Sequence, residues 1–163
     1  MESMTLALAL YQPDIPQNCG TMLWLCACLG VEASIIEPAG FPVSDRHFRR
    51  SGMDYLDAVN VTRHMSWRAF QDWRVPTGRR LVLLSTSAAL PFTDFAFAPD
   101  DILMVGRESA GAPQDVHEAA DARILIPIRP GMRSLNVAVC AAMALGEALR
   151  QTGLYPDVAP CDL

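Results

Sequence analysis

Two stretches in the last third of the chain carry the residue types best suited to building a ligand site. The first reads Gly106-Arg107-Glu108-Ser109-Ala110-Gly111, and the second Arg129-Pro130-Gly131-Met132-Arg133-Ser134-Leu135-Asn136. Each follows a short apolar run, Ile102 to Val105 and Ile124 to Ile126. Such runs, bounded by turn residues, read as buried strands. Strands that empty into polar loops of small residues form ligand sites at the carboxyl ends of a parallel sheet. The second loop also opens a long apolar helix, which the sequence predicts from Asn136 to about Gln151.

The elements that must position these loops alternate along the chain. Thr5 to Leu10 reads as a buried strand. Asn18 is a good cap for a helix from about Gly20 to Leu29, closed by Gly30. Glu32 to Ile36 is a second strand, ended by Pro38-Ala39-Gly40. Asp45 caps a short basic helix carrying Arg49 and Arg50. Asn60 to Thr62 is a weak strand, and Ser66 caps a helix through about Trp73. Leu81 to Leu84 is the strand before the two opening ones, and Pro113 starts a helix to about Ala119. This alternation predicts an α/β domain with a parallel sheet flanked by helices. The 163 residues suit one domain with a real core, with a loose tail from about residue 154.

Composition narrows the classes. Hydrophobic residues make up 51% and charged residues 19%, so the chain is globular and not disordered. The longest apolar run, Val137 to Leu145, is far short of the roughly 18 residues a membrane span needs. The N-terminus lacks a basic segment and a small-residue cleavage pattern, so no secretory signal is expected. Met4 competes with Met1 as the start. The five cysteines (19, 26, 28, 140 and 161) are odd in number and mostly in apolar contexts, which fits free thiols in a reducing cytoplasm. His47, His64 and His117 lack metal-ligand spacing, so no metal is expected.

The net charge of −5 argues weakly against a nucleic-acid partner, but its distribution argues the other way. All 13 basic residues are arginine. Eight lie between Arg46 and Arg80, against only three aspartates, a local excess of five positive charges. Guanidinium forks suit bidentate phosphate contacts. A solvated, ion-paired helix face explains the same run equally well.

Nucleotide sites of the ordinary kinds are missing. A dinucleotide fold needs G-x-G-x-x-G after the first strand, where this chain has Tyr11-Gln12-Pro13-Asp14-Ile15-Pro16-Gln17-Asn18-Cys19-Gly20. A phosphate loop needs a lysine, and the chain has none. The glycines cluster near the C-terminal strands instead.

Gly-x-Glu-x-x-Gly, followed some twenty residues later by Ile-Pro and then Ser-Leu-Asn, resembles the last two motifs of the SPOUT RNA methyltransferases. The likeness runs from Leu6 to about Gly153. It includes Ile35-Ile36-Glu37-Pro38-Ala39-Gly40-Phe41, Arg49-Arg50-Ser51-Gly52-Met53-Asp54-Tyr55 and Thr62-Arg63-His64, in the family's order and spacing. It is nearest to the single-domain TrmL-type branch, tRNA 2'-O-methyltransferases of the wobble cytidine or uridine. The resemblance implies a deep C-terminal trefoil knot and S-adenosylmethionine as cofactor. It places the cofactor among Leu84, Gly106, Gly111, Ile126, Ile128, Ser134 and Leu135. Adenine wants an apolar slot, which Leu84, Ile126 and Ile128 can supply. Gly106 lets backbone approach closely, and Ser134 competes with Asn136 to cap the final helix.

The resemblance also implies a catalytic set of Asn18, Trp24, Glu108, Arg133, Ser134 and Asn136, and an RNA surface of Arg49, Arg50, Arg63, His64 and Arg129. Two roles stay open for Glu108: tying loops together or orienting the sulfonium end. A tRNA and a second copy of the chain are the implied partners. Family members pair through their first and last helices, and the final helix here is apolar on nearly all faces. Trp24 and Cys28 lie one turn apart on the first helix and suit the same interface.

The chain departs from the family in three places. The first motif normally ends in an arginine that activates the ribose hydroxyl, and here that residue is Trp24. An indole has neither positive charge nor basic nitrogen. Ser85-Thr86-Ser87-Ala88 lacks the family's lysine-glycine pair, and Gly146 stands where tyrosine is common. Three explanations fit Trp24: another arginine serves (129 or 133), the protein binds cofactor and RNA with impaired catalysis, or the position is mutated in an otherwise normal enzyme.

Overall fold

The computed structural model describes residues 5–44, 46 and 54–159. The segment 47–53, which includes Arg49 and Arg50, lies outside them, so the basic helix expected after Asp45 is not described beyond Arg46. The described residues form a seven-stranded sheet: β1 (Ala7–Tyr11), β2 (Glu32–Ile36), β3 (Val61–His64), β4 (Leu81–Leu84), β5 (Leu90–Pro91), β6 (Ile102–Val105) and β7 (Ala122–Leu125). The strand order is β3-β2-β1-β6-β4-β7-β5, and every neighbouring pair is parallel. The parallel α/β reading of the sequence is therefore correct. The two-residue edge strand β5 was not expected, because a proline in so short a run argues against a strand.

Among the described residues, four α-helices of six residues or more cover the faces: α1 (Pro16–Leu29), α2 (Trp67–Arg74), α3 (Gln114–Ala119) and α4 (Val137–Thr152). Side chains of a strand alternate between faces, and β1 shows the division. Leu8 and Leu10 enter one core with Cys19, Met22, Leu23 and Cys26 of α1 and Ala141, Leu145 and Leu149 of α4. Ala7, Ala9 and Tyr11 enter the other with Phe70 of α2 and Val116 of α3. Burial on both faces explains why the strands read as unbroken apolar runs.

The helix ends follow local chemistry. Ser66 caps α2 by accepting a bond from the Ala69 N–H at 3.0 Å, and Gly30 ends α1 at φ 66°. Asn136 wins the competition with Ser134, since its side chain accepts from the N–H groups of Ala138 and Val139. Asn18 is no cap: α1 starts two residues earlier at Pro16, with Ile15 in the cap position. A proline in the first turn has the helical φ already and no N–H to satisfy. Beyond α4 the chain turns back, and the Tyr155 hydroxyl lies 3.0 Å from where a Cβ on Gly146 would stand. The start of the expected loose tail is thus held against the helix.

Three arginines of the basic window hold the amino ends of the strands. Arg80 donates from Nε to Asp101 Oδ1 at 2.8 Å and from Nη2 to Oδ2 at 2.7 Å, with Asp101 fully buried. Arg79 donates to the carbonyls of Asp100 and Thr5, and Arg74 to Asp121 and the Arg79 carbonyl. This corrects the reading of the whole window as a phosphate-facing surface. Paired guanidiniums at the opposite end of the sheet from the loops are fold chemistry.

Phe70 is the largest fully buried side chain, edge-on to His64 and stacked with Trp67. Phe70→Ala should cost about 3–5 kcal/mol in urea unfolding, and a loss below 1 kcal/mol would mean that α2 is not anchored there.

Candidate functional site

The carboxyl ends of β4, β6 and β7 open into one cavity of about 990 Å³. Its walls come from the loops after those strands, with Ile15 and Asn18 from the start of α1 and Cys140 from α4. Leu84, Gly106, Gly111, Ile126, Ile128, Ser134 and Leu135, all seven positions expected around the cofactor, line it. So do Asn18, Glu108, Arg133 and Asn136 of the expected catalytic set, and Arg129 of the expected RNA set.

Two asparagines join the helix starts above the cavity. Asn136 Nδ2 donates to Asn18 Oδ1 at 3.0 Å while its own Oδ1 caps α4. Asn18, displaced from its expected role as cap, therefore anchors the start of α4 to α1. Arg129 and Arg133 are exposed at the rim.

The floor of the site is a clasp between the loops after β1 and β6. The Asp14 N–H donates to Glu108 Oε2 at 3.0 Å, and the Glu108 N–H donates to Asp14 Oδ1 at 3.2 Å. The Ser109 hydroxyl donates to Asp14 Oδ2. Hydrogen bonding from the Glu108 carboxyl, assisted by Ser109, holds Asp14 down at about 2. Burial, then the neighbouring Asp14, pushes Glu108 up. The two neighbouring acids are thus pushed apart, Asp14 downward and Glu108 upward. The exchanged bonds tie the two loops together, the first of the two roles left open for Glu108.

Gly106 is required for an internal reason. A Cβ there would stand 2.6 Å from the Ala112 nitrogen and the Gly111 carbonyl carbon, where Arg107 and Gly111 exchange backbone bonds across a tight loop. The expected close approach is by the chain's own backbone.

Two expected residues fall elsewhere. Trp24 is 52% exposed on α1 and does not line the cavity. His64 is only 5% exposed; its Nε2 lies 3.1 Å from Ser34 Oγ, and its ring packs on Phe70 and Trp73. The RNA contact expected of His64 is corrected: strand alternation turns it inward and Arg63 outward. Arg63 is exposed and donates to the Val43 carbonyl. Asp14 and Arg107 were not singled out from sequence. The only signal for Asp14 was a lone acid between two prolines.

Apolar walls, loop hydroxyls and rim arginines at the carboxyl ends of a parallel sheet define an α/β enzyme site for a nucleotide-like ligand. The profile of the SpoU rRNA Methylase family matches residues 5–146, and the chain belongs to that family. A protein of Beijerinckia indica named tRNA (cytidine(34)-2'-O)-methyltransferase is 76% identical over 93% of this chain and 94% of its own length. One of the same name from Escherichia coli K12 is 39% identical over 93% of this chain and 96% of its own. A solved structure described as giving insights into the 2-OH methylation of C/U34 on tRNA aligns with TM-score 0.83 and 36% identity, covering 91% and 96% of the two chains. The SpoU methyltransferase AviRb of Streptomyces viridochromogenes, solved with AdoMet, aligns with TM-score 0.80 and 27% identity, covering 93% of this chain and 62% of its own.

Two outcomes check this geometry. Gly106→Ala must move backbone, so it should lower stability by about 1–3 kcal/mol in thermal unfolding; an unchanged melting temperature would refute the loop geometry. Burial lowers the His64 pKa, so below its ordinary value of about 6.5 the unfolded chain takes up a proton that the folded chain resists. Stability should therefore fall from pH 7 to pH 5, and His64→Gln should show a shallower fall in the same urea titrations.

Proposed function

We propose that this protein is an S-adenosylmethionine-dependent tRNA 2'-O-methyltransferase acting on the ribose of the wobble cytidine or uridine. The observation that carries the reading is the single cavity that gathers every expected cofactor residue in a chain 76% identical to a protein of that name. The alternative of a non-catalytic binder gains no support, since relatives at 76% and 62% identity both carry the methyltransferase name.

The cavity suits the cofactor. Leu84, Ile126 and Ile128 offer an apolar slot for the adenine, and Ser134 offers a hydroxyl at the loop before α4. When bound, S-adenosylmethionine supplies an electrophilic methyl group on a positively charged sulfur. The chain's own residues then have to bring a ribose oxygen into line and hold it there, a positioning task. Arg129 and Arg133, exposed at the rim, are placed to hold phosphates. Asp14 is poorly suited to act as a general base, because a carboxylate held down at about 2 is a weak proton acceptor.

Three further features belong to this reading. The C-terminal segment passes through a deep trefoil knot, which the position of β4 between β6 and β7 supports. The protein works as a homodimer through α1 and α4, where Trp24, Val139 and Met143 stay 52%, 47% and 41% exposed. It acts in the cytoplasm, where tRNA is found; no helix among the described residues is long and apolar enough to cross a membrane.

Labelled S-adenosylmethionine and bulk tRNA test the reading. A 2'-O-methylated pyrimidine should appear at the wobble position by mass spectrometry of the digested RNA. Ile128→Trp should weaken cofactor binding at least tenfold in calorimetry. The double variant Arg129→Ala, Arg133→Ala should weaken tRNA binding, flatten its salt dependence by up to about two phosphate contacts, and spare the cofactor. No methyl transfer by the unaltered chain would reject the function.

A further inference from the structure

Arg107 differs from the other partly buried arginines of the chain. Arg79 and Arg80 each spend Nε and an Nη on bonds of 2.7–2.9 Å to carbonyls or carboxylates. Arg107 makes one long bond, from Nη1 to Gln12 Oε1 at 3.4 Å, and its Nη2 stands 3.7 Å from Asp14 Oδ2. Its Nε is buried and has no hydrogen-bond partner, as is Oε1 of the adjoining Glu108. A buried polar group without a partner carries a free-energy cost. Unlike Arg79 and Arg80, Arg107 is loosely committed, and it stands on the wall of the cavity, 35% exposed.

The surroundings of Arg107 are fixed. Gln12 holds φ at 42°, a conformation non-glycine residues seldom adopt, and its N–H is bonded to the Ile36 carbonyl at 2.9 Å. Gly40 abuts the next turn, where a Cβ would stand 2.9 Å from Asp14 Cα and Cβ. The anchors of Arg107 thus sit in a loop that cannot easily move. They also set its direction. Gln12 and Asp14 follow β1, whereas the apolar slot is built from the loops after β4 and β7. The guanidinium leans to the opposite side of the cavity from the slot.

Resting on the function proposed above, we infer that Arg107, oriented by Asp14, binds the phosphate next to the target ribose and so seats the nucleotide in the cavity. A guanidinium with free donors is the side chain best matched to a phosphodiester oxygen pair. Arg107 is then a substrate-binding residue, and Asp14 a positioning residue that acts through it.

Steady-state methylation of tRNA, with cofactor affinity measured by calorimetry, provides the test. Arg107→Ala should raise KM for tRNA at least tenfold, leave cofactor affinity within twofold, and reduce the slope of log affinity against log salt by about one contact. Arg107→Lys should recover part of the KM, because it restores the charge without the fork. Asp14→Asn should raise KM in the unaltered chain but add little in the Arg107→Ala background. An unchanged KM and salt slope in Arg107→Ala, with the unaltered enzyme active, overturns this inference and leaves the function standing. Lost cofactor affinity in both Arg107 variants overturns it too, by assigning the guanidinium to the cofactor's carboxylate or to the fold. An unaltered chain that methylates no tRNA rejects both readings.

Discussion

The site depends on one exchange of hydrogen bonds between loops 94 residues apart in sequence. Asp14 gives its N–H to the Glu108 side chain, and Glu108 gives its N–H to the Asp14 side chain. Strands β1 and β6 are already neighbours in the sheet, paired from Ala7 with Ile102 to Leu10 with Val105. The sheet register therefore delivers the two loops side by side, and the exchange fixes their last few ångströms. Without it, the start of α1 and the Gly106 to Gly111 loop would be separate excursions from the sheet. With it they form one rigid floor on which Arg107, Asn18 and the cavity wall are mounted.

A second constraint acts at the opposite end. The amino ends of the strands are stitched by Arg74, Arg79 and Arg80 to acids and carbonyls, including the buried Asp101. The chain thus uses one residue type in two places. The well-bonded forks of Arg74, Arg79 and Arg80 hold the amino ends of the strands, while Arg107, Arg129 and Arg133 line the cavity at the other end.

Much of this was legible in the sequence. Apolar runs marked five of the seven strands, because strands buried on both faces leave no alternation to confuse with a helix, and β3, not buried on both faces, was only weakly signalled. The two loops after β6 and β7 were legible because glycines, a serine and asparagine gathered where strands end. What was not legible depends on three-dimensional competition. Asn18 and Asn136 are both good caps by type, but α1 begins at Pro16 and leaves Asn18 inside it, while Asn136 caps α4. Gly106 was marked as special, and the close neighbours that exclude a side chain there are Gly111 and Ala112 of its own loop. His64 looked like a surface residue beside Arg63 because strand parity was uncertain where β3 was weakly signalled. Asp14 had only the weak signal of an acid between prolines and Arg107 had none, since their importance comes from a contact between loops after neighbouring strands.

The order of strands in space also sets an order in time. Most of the cavity wall comes from residues within 84–86, 105–111 and 125–140, and the last of these three stretches is made after the other two. Strand β7 docks on β4, which already has β6 on its other edge. A nascent chain emerging from the ribosome can therefore pair β1, β2, β4 and β6 while the binding cavity is still open on one side. Ligand competence arrives only when the segment leading into α4 closes over it, which makes occupancy of the cavity a reporter that this segment has docked.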